Sequence, residues 1–91
     1  MLTINFSKLA EKFSLRLLPK HKNQVGRRIR ALAEDPYASD TRELVGSAPF
    51  RRADIGEYRI IYRISEMALH IFLIGKRNDD EVYRKLRRLL K

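Results

Sequence analysis

Between Tyr58 and Ile74 the chain runs through two apolar stretches that fit a sheet. Tyr58, Ile60, Tyr62 and Ile64 alternate with Arg59, Ile61 and Arg63, the period of two of a half-buried strand. After a turn near Glu66, residues 69–74 read Leu-His-Ile-Phe-Leu-Ile, apolar at both parities, as in a strand covered on at least part of each face. Residues 50–55 can form a third strand, joined to Tyr58 by a tight Gly56-Glu57 turn, so the three make an antiparallel meander.

The other apolar residues recur at helical spacing. Phe6, Ala10, Phe13 and Leu17 predict a first helix over residues 7–18, after a short extended start at residues 2–6. Pro19 follows. Val25, Ile29 and Leu32 then fall at i, i+4 and i+7, with Lys22, Arg27, Arg28 and Arg30 off that stripe, which predicts a second amphipathic helix antiparallel to the first. It stops near Glu34, because Pro36 disfavours helical geometry at Asp35 and lacks a backbone donor. A polar stretch over residues 37–41 and a short extended piece at 42–45 lead to Gly46, Ser47 and Pro49.

Past the last strand, Gly75-Lys76-Arg77 breaks the pattern, and Asn78 with Glu81 three residues later has the form of a capping box. Val82, Leu86 and Leu89 form the stripe of a final helix. The layout is α+β: two N-terminal antiparallel helices packed on a small, mainly antiparallel sheet of three or four strands, plus a C-terminal helix. The helices are expected on one face, in a single domain over residues 1–91.

A 91-residue chain buries only about 60 to 65% of the surface it exposes when unfolded, so function is expected on an open surface or shallow groove. Twenty Lys and Arg against eleven Asp and Glu give a net charge of +9. That exceeds the magnitude of about 2 to 8 that solubility alone calls for, and it makes RNA, DNA or an acidic protein the natural partner. With no cysteine there is no disulfide, thiolate nucleophile or Cys-containing zinc site, and two histidines do not make a metal site, so no cofactor is expected. Lys8, Glu11 and Lys12 fall where a signal peptide needs an apolar run, and no segment approaches 18 apolar residues. The expectation is a cytoplasmic protein with no membrane partner.

Two segments carry a family resemblance: Ile55-Gly56-Glu57-Tyr58-Arg59-Ile60-Ile61-Tyr62, and Gly75-Lys76-Arg77-Asn78-Asp79-Asp80-Glu81-Val82-Tyr83. Together with the Asp35-Pro36 helix stop and the Leu44-Val45-Gly46 approach to the sheet, they resemble the RelE branch of the RelE/ParE toxin superfamily. The resemblance implies the toxin of a type II toxin-antitoxin pair that cuts messenger RNA in the ribosomal A site. Its partners would be a cognate antitoxin, the ribosome and mRNA, with operator DNA engaged only through the antitoxin complex.

Carried over residue by residue, the resemblance makes Arg59, Arg77 and Tyr83 catalytic. The family also has two basic residues one apart on the strand before, where this chain has Phe50 and Arg52, with Arg51 between them. Neighbouring strand residues point to opposite faces, so Arg51 and Arg52 do not both face the groove in regular geometry. Arg52 joins the catalytic set, and Lys76, Arg51 and Arg84 are candidate phosphate contacts.

RNA is cut without metal when its own 2′-hydroxyl attacks the adjacent phosphate, which requires proton transfer and stabilisation of added negative charge. Arg59 and Arg77 suit the second task, because a guanidinium grips phosphate oxygens in a fixed fork. Tyr83 would act as a base, or stack on a splayed nucleobase and align the phosphate. The rival readings are a histidine acid-base pair of His21 and His70, a ParE-like inhibitor of DNA gyrase without nuclease activity, and a catalytically weakened RNA binder. Arg63, on the same strand face as Arg59, reads as an edge charge or ion-pair partner.

Overall fold

A computed structural model of the chain describes residues 1–78 and 80–90. Asp79, inside the second resemblance segment, and Lys91, at the end of the expected domain, lie outside the described residues. The elements are β1 (Thr3–Phe6), α1 (Lys8–Leu15), α2 (Pro19–Glu34), β2 (Arg42–Glu43), β3 (Arg51–Ile55), β4 (Tyr58–Ser65), β5 (Ala68–Lys76) and α3 (Glu81–Leu89).

The first helix is shorter than its apolar spacing predicts. Ser7 opens it, its Oγ accepting from the Ala10 amide at 3.1 Å and donating to the Phe72 carbonyl at 2.6 Å. The amides of Arg16 and Leu17 then bond three residues back, to Phe13 and Ser14, which tightens the last turn and ends the helix. Leu18 is extended, as a residue before proline prefers, and Pro19 starts α2 at the position where a missing amide hydrogen removes no helical bond.

The sheet has five strands in the order β1-β5-β4-β3-β2. The meander pairs as expected, with Tyr58 opposite Ile55 and Ser65 opposite Ala68. The strand count exceeds the expected three or four because the extended start joins the sheet as β1, parallel to β5, with Ile4 beside Leu69.

Helices cover both faces, which corrects the expectation of one. Tyr58, Ile60 and Tyr62 pack with Val25, Ile29 and Leu32 of α2 and Ala10 of α1, and the Tyr62 hydroxyl donates to the Pro36 carbonyl at 2.6 Å. Ile61 and Leu73, at the opposite parity, form a second cluster with Phe50, Leu44, and Val82 and Leu86 of α3. The physical reason is the two-faced β5: a register shift opposite Ile61 and Tyr62 leaves Phe72 unpaired, so Leu73 and Phe72 both turn to the second face. Phe72 meets Phe50 there with ring centroids 4.9 Å apart.

The last helix starts later than the Asn78–Glu81 spacing predicts, with Asp80 rather than Asn78 at the N-cap. α3 begins at Glu81 itself, Asp80 precedes it without a side-chain capping bond, and Glu81 pairs forward with Lys85 at 3.2 Å. No helix among the described residues is long and apolar enough to cross a membrane.

Candidate functional site

The register of β3 and β4 decides which charges share a face. Arg52 lies opposite Ile61 and Asp54 opposite Arg59, so Arg52, Asp54 and Arg59 stand on the face that α3 covers. Arg77 follows directly after β5, its amide bonded to the Glu57 carbonyl at 2.8 Å. Tyr83 comes from the first turn of α3.

What brings that helix so close is Gly75. A β-carbon there would overlap Val82 Cγ1, so only glycine lets α3 settle against the end of β5. Val82 and Leu86 are buried, which turns Tyr83, one residue on, toward the Arg59 side chain.

The contacts within this cluster are short. Arg59 Nε and Nη2 donate to the two Asp54 oxygens at 2.6 and 3.0 Å, a bidentate pair, while Nη1 donates to the Tyr83 hydroxyl oxygen at 2.7 Å. Arg77 Nε lies 3.7 Å from Asp54 Oδ2, and its Nη1 donates to the Gly56 carbonyl at 3.3 Å. The Arg59 hydrogen bond holds the Asp54 carboxyl below its ordinary range against the opposing effect of burial, with Arg77 and Arg52 pulling the same way. The Arg59 guanidinium is pushed up in turn by Asp54. Of the two arginines on Asp54, Arg59 is the buried one, its side chain 14% exposed, and Arg77 is the open one at 49%.

Of the residues singled out from the sequence, the fold brings together Arg52, Arg59, Arg77 and Tyr83. It does not bring the other three. Arg51 faces the α2 side, where Nη2 donates to Thr41 Oγ1 at 2.8 Å and the guanidinium lies 5.0 Å from the Tyr37 ring centre. Lys76 is opposite Tyr58 and shares its face by strand alternation, away from the groove. Arg84 is exposed and sits about 200° around α3 from Val82.

Three groove residues escaped the sequence reading. Asp54, Arg42 and Arg87 were none of them singled out as site residues. With Arg52 and Tyr83 these two arginines line a cleft of about 590 Å³ between the β2 end and α3. The i, i+4 spacing of Tyr83 and Arg87 was the available signal.

The histidines do not form a pair. His21 Nδ1 is 2.7 Å from the hydroxyl of Tyr58 at the start of β4, whereas His70 lies opposite Arg63 near its end, 3.2 Å from Ser65 Oγ. Phe50, where the resemblance implies a basic residue, is buried in the second cluster.

Comparison with known proteins gives this geometry a family. The family described as the ParE toxin of type II toxin-antitoxin systems, parDE, matches residues 4–81. No curated protein matches the sequence. Among solved structures, the isolated E. coli RelE toxin superposes with a TM-score of 0.76 at 18% identity, covering 100% of both chains. An E. coli RelE variant with two arginines replaced by alanine, in the free state, reaches 0.82 at 18% identity over 99% of this chain and 98% of its own. The RelBE2 toxin-antitoxin complex of Mycobacterium tuberculosis gives 0.73 at 24% identity over 84% and 98%. These identities speak for the fold, and the match over residues 4–81 speaks for the family: the chain belongs to the RelE/ParE superfamily of type II toxin-antitoxin toxins and carries the RelE fold.

Proposed function

We propose that the chain is a ribosome-dependent endoribonuclease that cuts messenger RNA in the A site and is held in check by a cognate antitoxin. The observation that carries this reading is the cluster in which Asp54 joins Arg59 and Arg77 and Arg59 holds the Tyr83 hydroxyl, beside an open cleft that Tyr83 and Arg52 line. Attack by the 2′-hydroxyl on the adjacent phosphorus leaves a 2′,3′-cyclic phosphate and a free 5′-hydroxyl. It adds negative charge to the phosphate in the transition state, and preorganised cations stabilise that charge without moving.

Arg77, half exposed and loosely held, and Arg52, in the cleft beside Tyr83, are the cations open to the phosphate. The Tyr83 oxygen accepts from Arg59, which leaves its own hydrogen free for a phosphate oxygen or the leaving 5′-oxygen. Neither histidine is in the groove, and an arginine is a poor base near neutrality, so the chain on its own is a slow catalyst. The ribosome supplies what is missing by holding the message in line for attack. Site and partner imply action in the cytoplasm, where translating ribosomes are, with operator DNA reached only as the antitoxin complex.

The matching family is described by its ParE member, so a gyrase-directed toxin is the second reading. Inducing the chain in cells and mapping message ends together with plasmid supercoiling separates the two. The nuclease reading expects cuts phased to codons at unchanged supercoiling. Altered supercoiling with intact messages contradicts it.

A further inference from the structure

An aspartate beside a phosphate-binding cation is unfavourable for RNA, yet Asp54 reaches both Arg59 and Arg77. Its place is set by register: Asp54 and Arg59 are direct cross-strand partners on the α3 face, near enough for their side chains to meet. They meet edge to edge, each carboxylate oxygen taking one hydrogen bond, so the Nε–Nη2 edge of Arg59, one of the two that can fork a phosphate, is occupied. Nη1 donates to Tyr83 at 2.7 Å, so three of the five Arg59 N–H donors are taken, two by Asp54 and one by the tyrosine.

We propose that Asp54 is a positioning residue for RNA cutting: it fixes the Arg59 guanidinium so that Arg59 serves Tyr83 rather than the phosphate. This rests on the nuclease reading above and changes the role that the resemblance gives to Arg59. Phosphate contact then falls to Arg77 and Arg52, and the Asp54–Arg59–Tyr83 chain sets where the tyrosine hydroxyl stands. A free guanidinium at Arg59 would bind RNA more tightly and orient the tyrosine less well. The rate therefore falls without a loss of affinity when Asp54 is replaced.

The test is Asp54→Asn, whose amide nitrogen cannot accept from Arg59 Nη2. Two measurements are needed: single-turnover cutting of message on programmed ribosomes at saturating toxin, and binding of a single-stranded RNA oligonucleotide across a salt series. Cutting is expected to fall about 100-fold, the scale of a misplaced reacting group. RNA binding is expected to hold or tighten, with the log-log salt slope steeper by about 0.7 as one more phosphate is contacted. Arg59→Ala is expected to slow cutting by a similar factor, and the double variant to be no slower than either, because the two residues act as one unit.

Thermal melts confirm that each variant is folded. A merely structural role for Asp54 would lower affinity, rate and melting temperature together, and that result overturns the proposal. So do an Asp54→Asn chain that cuts at the parental rate and losses that multiply in the double variant. Each of these outcomes leaves the nuclease reading intact, whereas a parental chain that cuts no message removes both.

Discussion

Arg77→Ala is expected to slow message cutting about 100- to 1,000-fold while leaving stability within about 0.5 kcal/mol of the parent. The two halves of that expectation come from the same geometry. Arg77 follows β5 with its side chain 49% exposed, and its contacts are a 3.7 Å approach to Asp54 and a 3.3 Å bond to the Gly56 carbonyl. Long, solvated contacts of this kind add little to folding. An exposed guanidinium with N–H donors to spare, beside Asp54 and Arg59, is, by contrast, what a transferring phosphate needs.

Arg84→Ala is the matched control. It removes the same charge from the same neighbourhood, but from the outer side of α3, and is expected to change cutting by no more than a few-fold. Single-turnover cutting of message on ribosomes and denaturant unfolding check both variants. If Arg77→Ala and Arg84→Ala lose activity equally, general positive charge rather than a placed arginine carries the effect.

Gly75→Ala tests the helix that carries Tyr83. The added methyl overlaps Val82 Cγ1, and Val82 is locked in a buried cluster with Ile61, Leu73 and Leu86, so α3 must move outward rather than the side chain turn aside. Overpacking of this kind costs about 1 to 3 kcal/mol. It also draws Tyr83 away from Arg59 Nη1, and a displacement near 1 Å is enough for a cutting loss on the order of 100-fold.

A second substitution makes the cause specific. Val82→Ala alone leaves a cavity, but in the Gly75→Ala background it removes the atom that collides. The double variant is expected to recover stability and part of the cutting relative to Gly75→Ala, with an interaction of about 0.5 to 3 kcal/mol between the two sites. Simple addition of the two losses would mean that α3 is not seated by this contact.

How much of this could be read from the sequence depends on the kind of information each residue carries. The β4 pattern of Tyr58, Ile60, Tyr62 and Ile64 fixed strand bounds that the structure reproduces, because a period of two over eight residues leaves no competing assignment. Pro19 and Pro36 marked the ends of α2 by a purely local mechanism. The facing of Arg51 and Arg52 was not local. It depends on the pairing of β3 with β4, and a slip of one residue exchanges them.

The second buried face was half visible in the two-sided apolar run of β5, but the helix that covers it could be assigned only once Val82, Leu86, Ile61 and Leu73 were seen together. Gly75 read as a pattern breaker, whereas its role is close approach to α3. Asp54 was the hardest to find, since an acid in a basic stretch resembles a solvated charge until its partner across the strand is known. For the same reason the resemblance could name Arg59 without disclosing that Asp54 already fills one edge of its guanidinium.

The decisive experiment uses purified chain, ribosomes and an end-labelled message with a defined codon in the A site. A single cut within that codon is predicted, leaving a 2′,3′-cyclic phosphate on the upstream fragment, with no cut in the same message off the ribosome. An intact message on the ribosome, in the presence of a chain that instead blocks DNA supercoiling by gyrase, would contradict it.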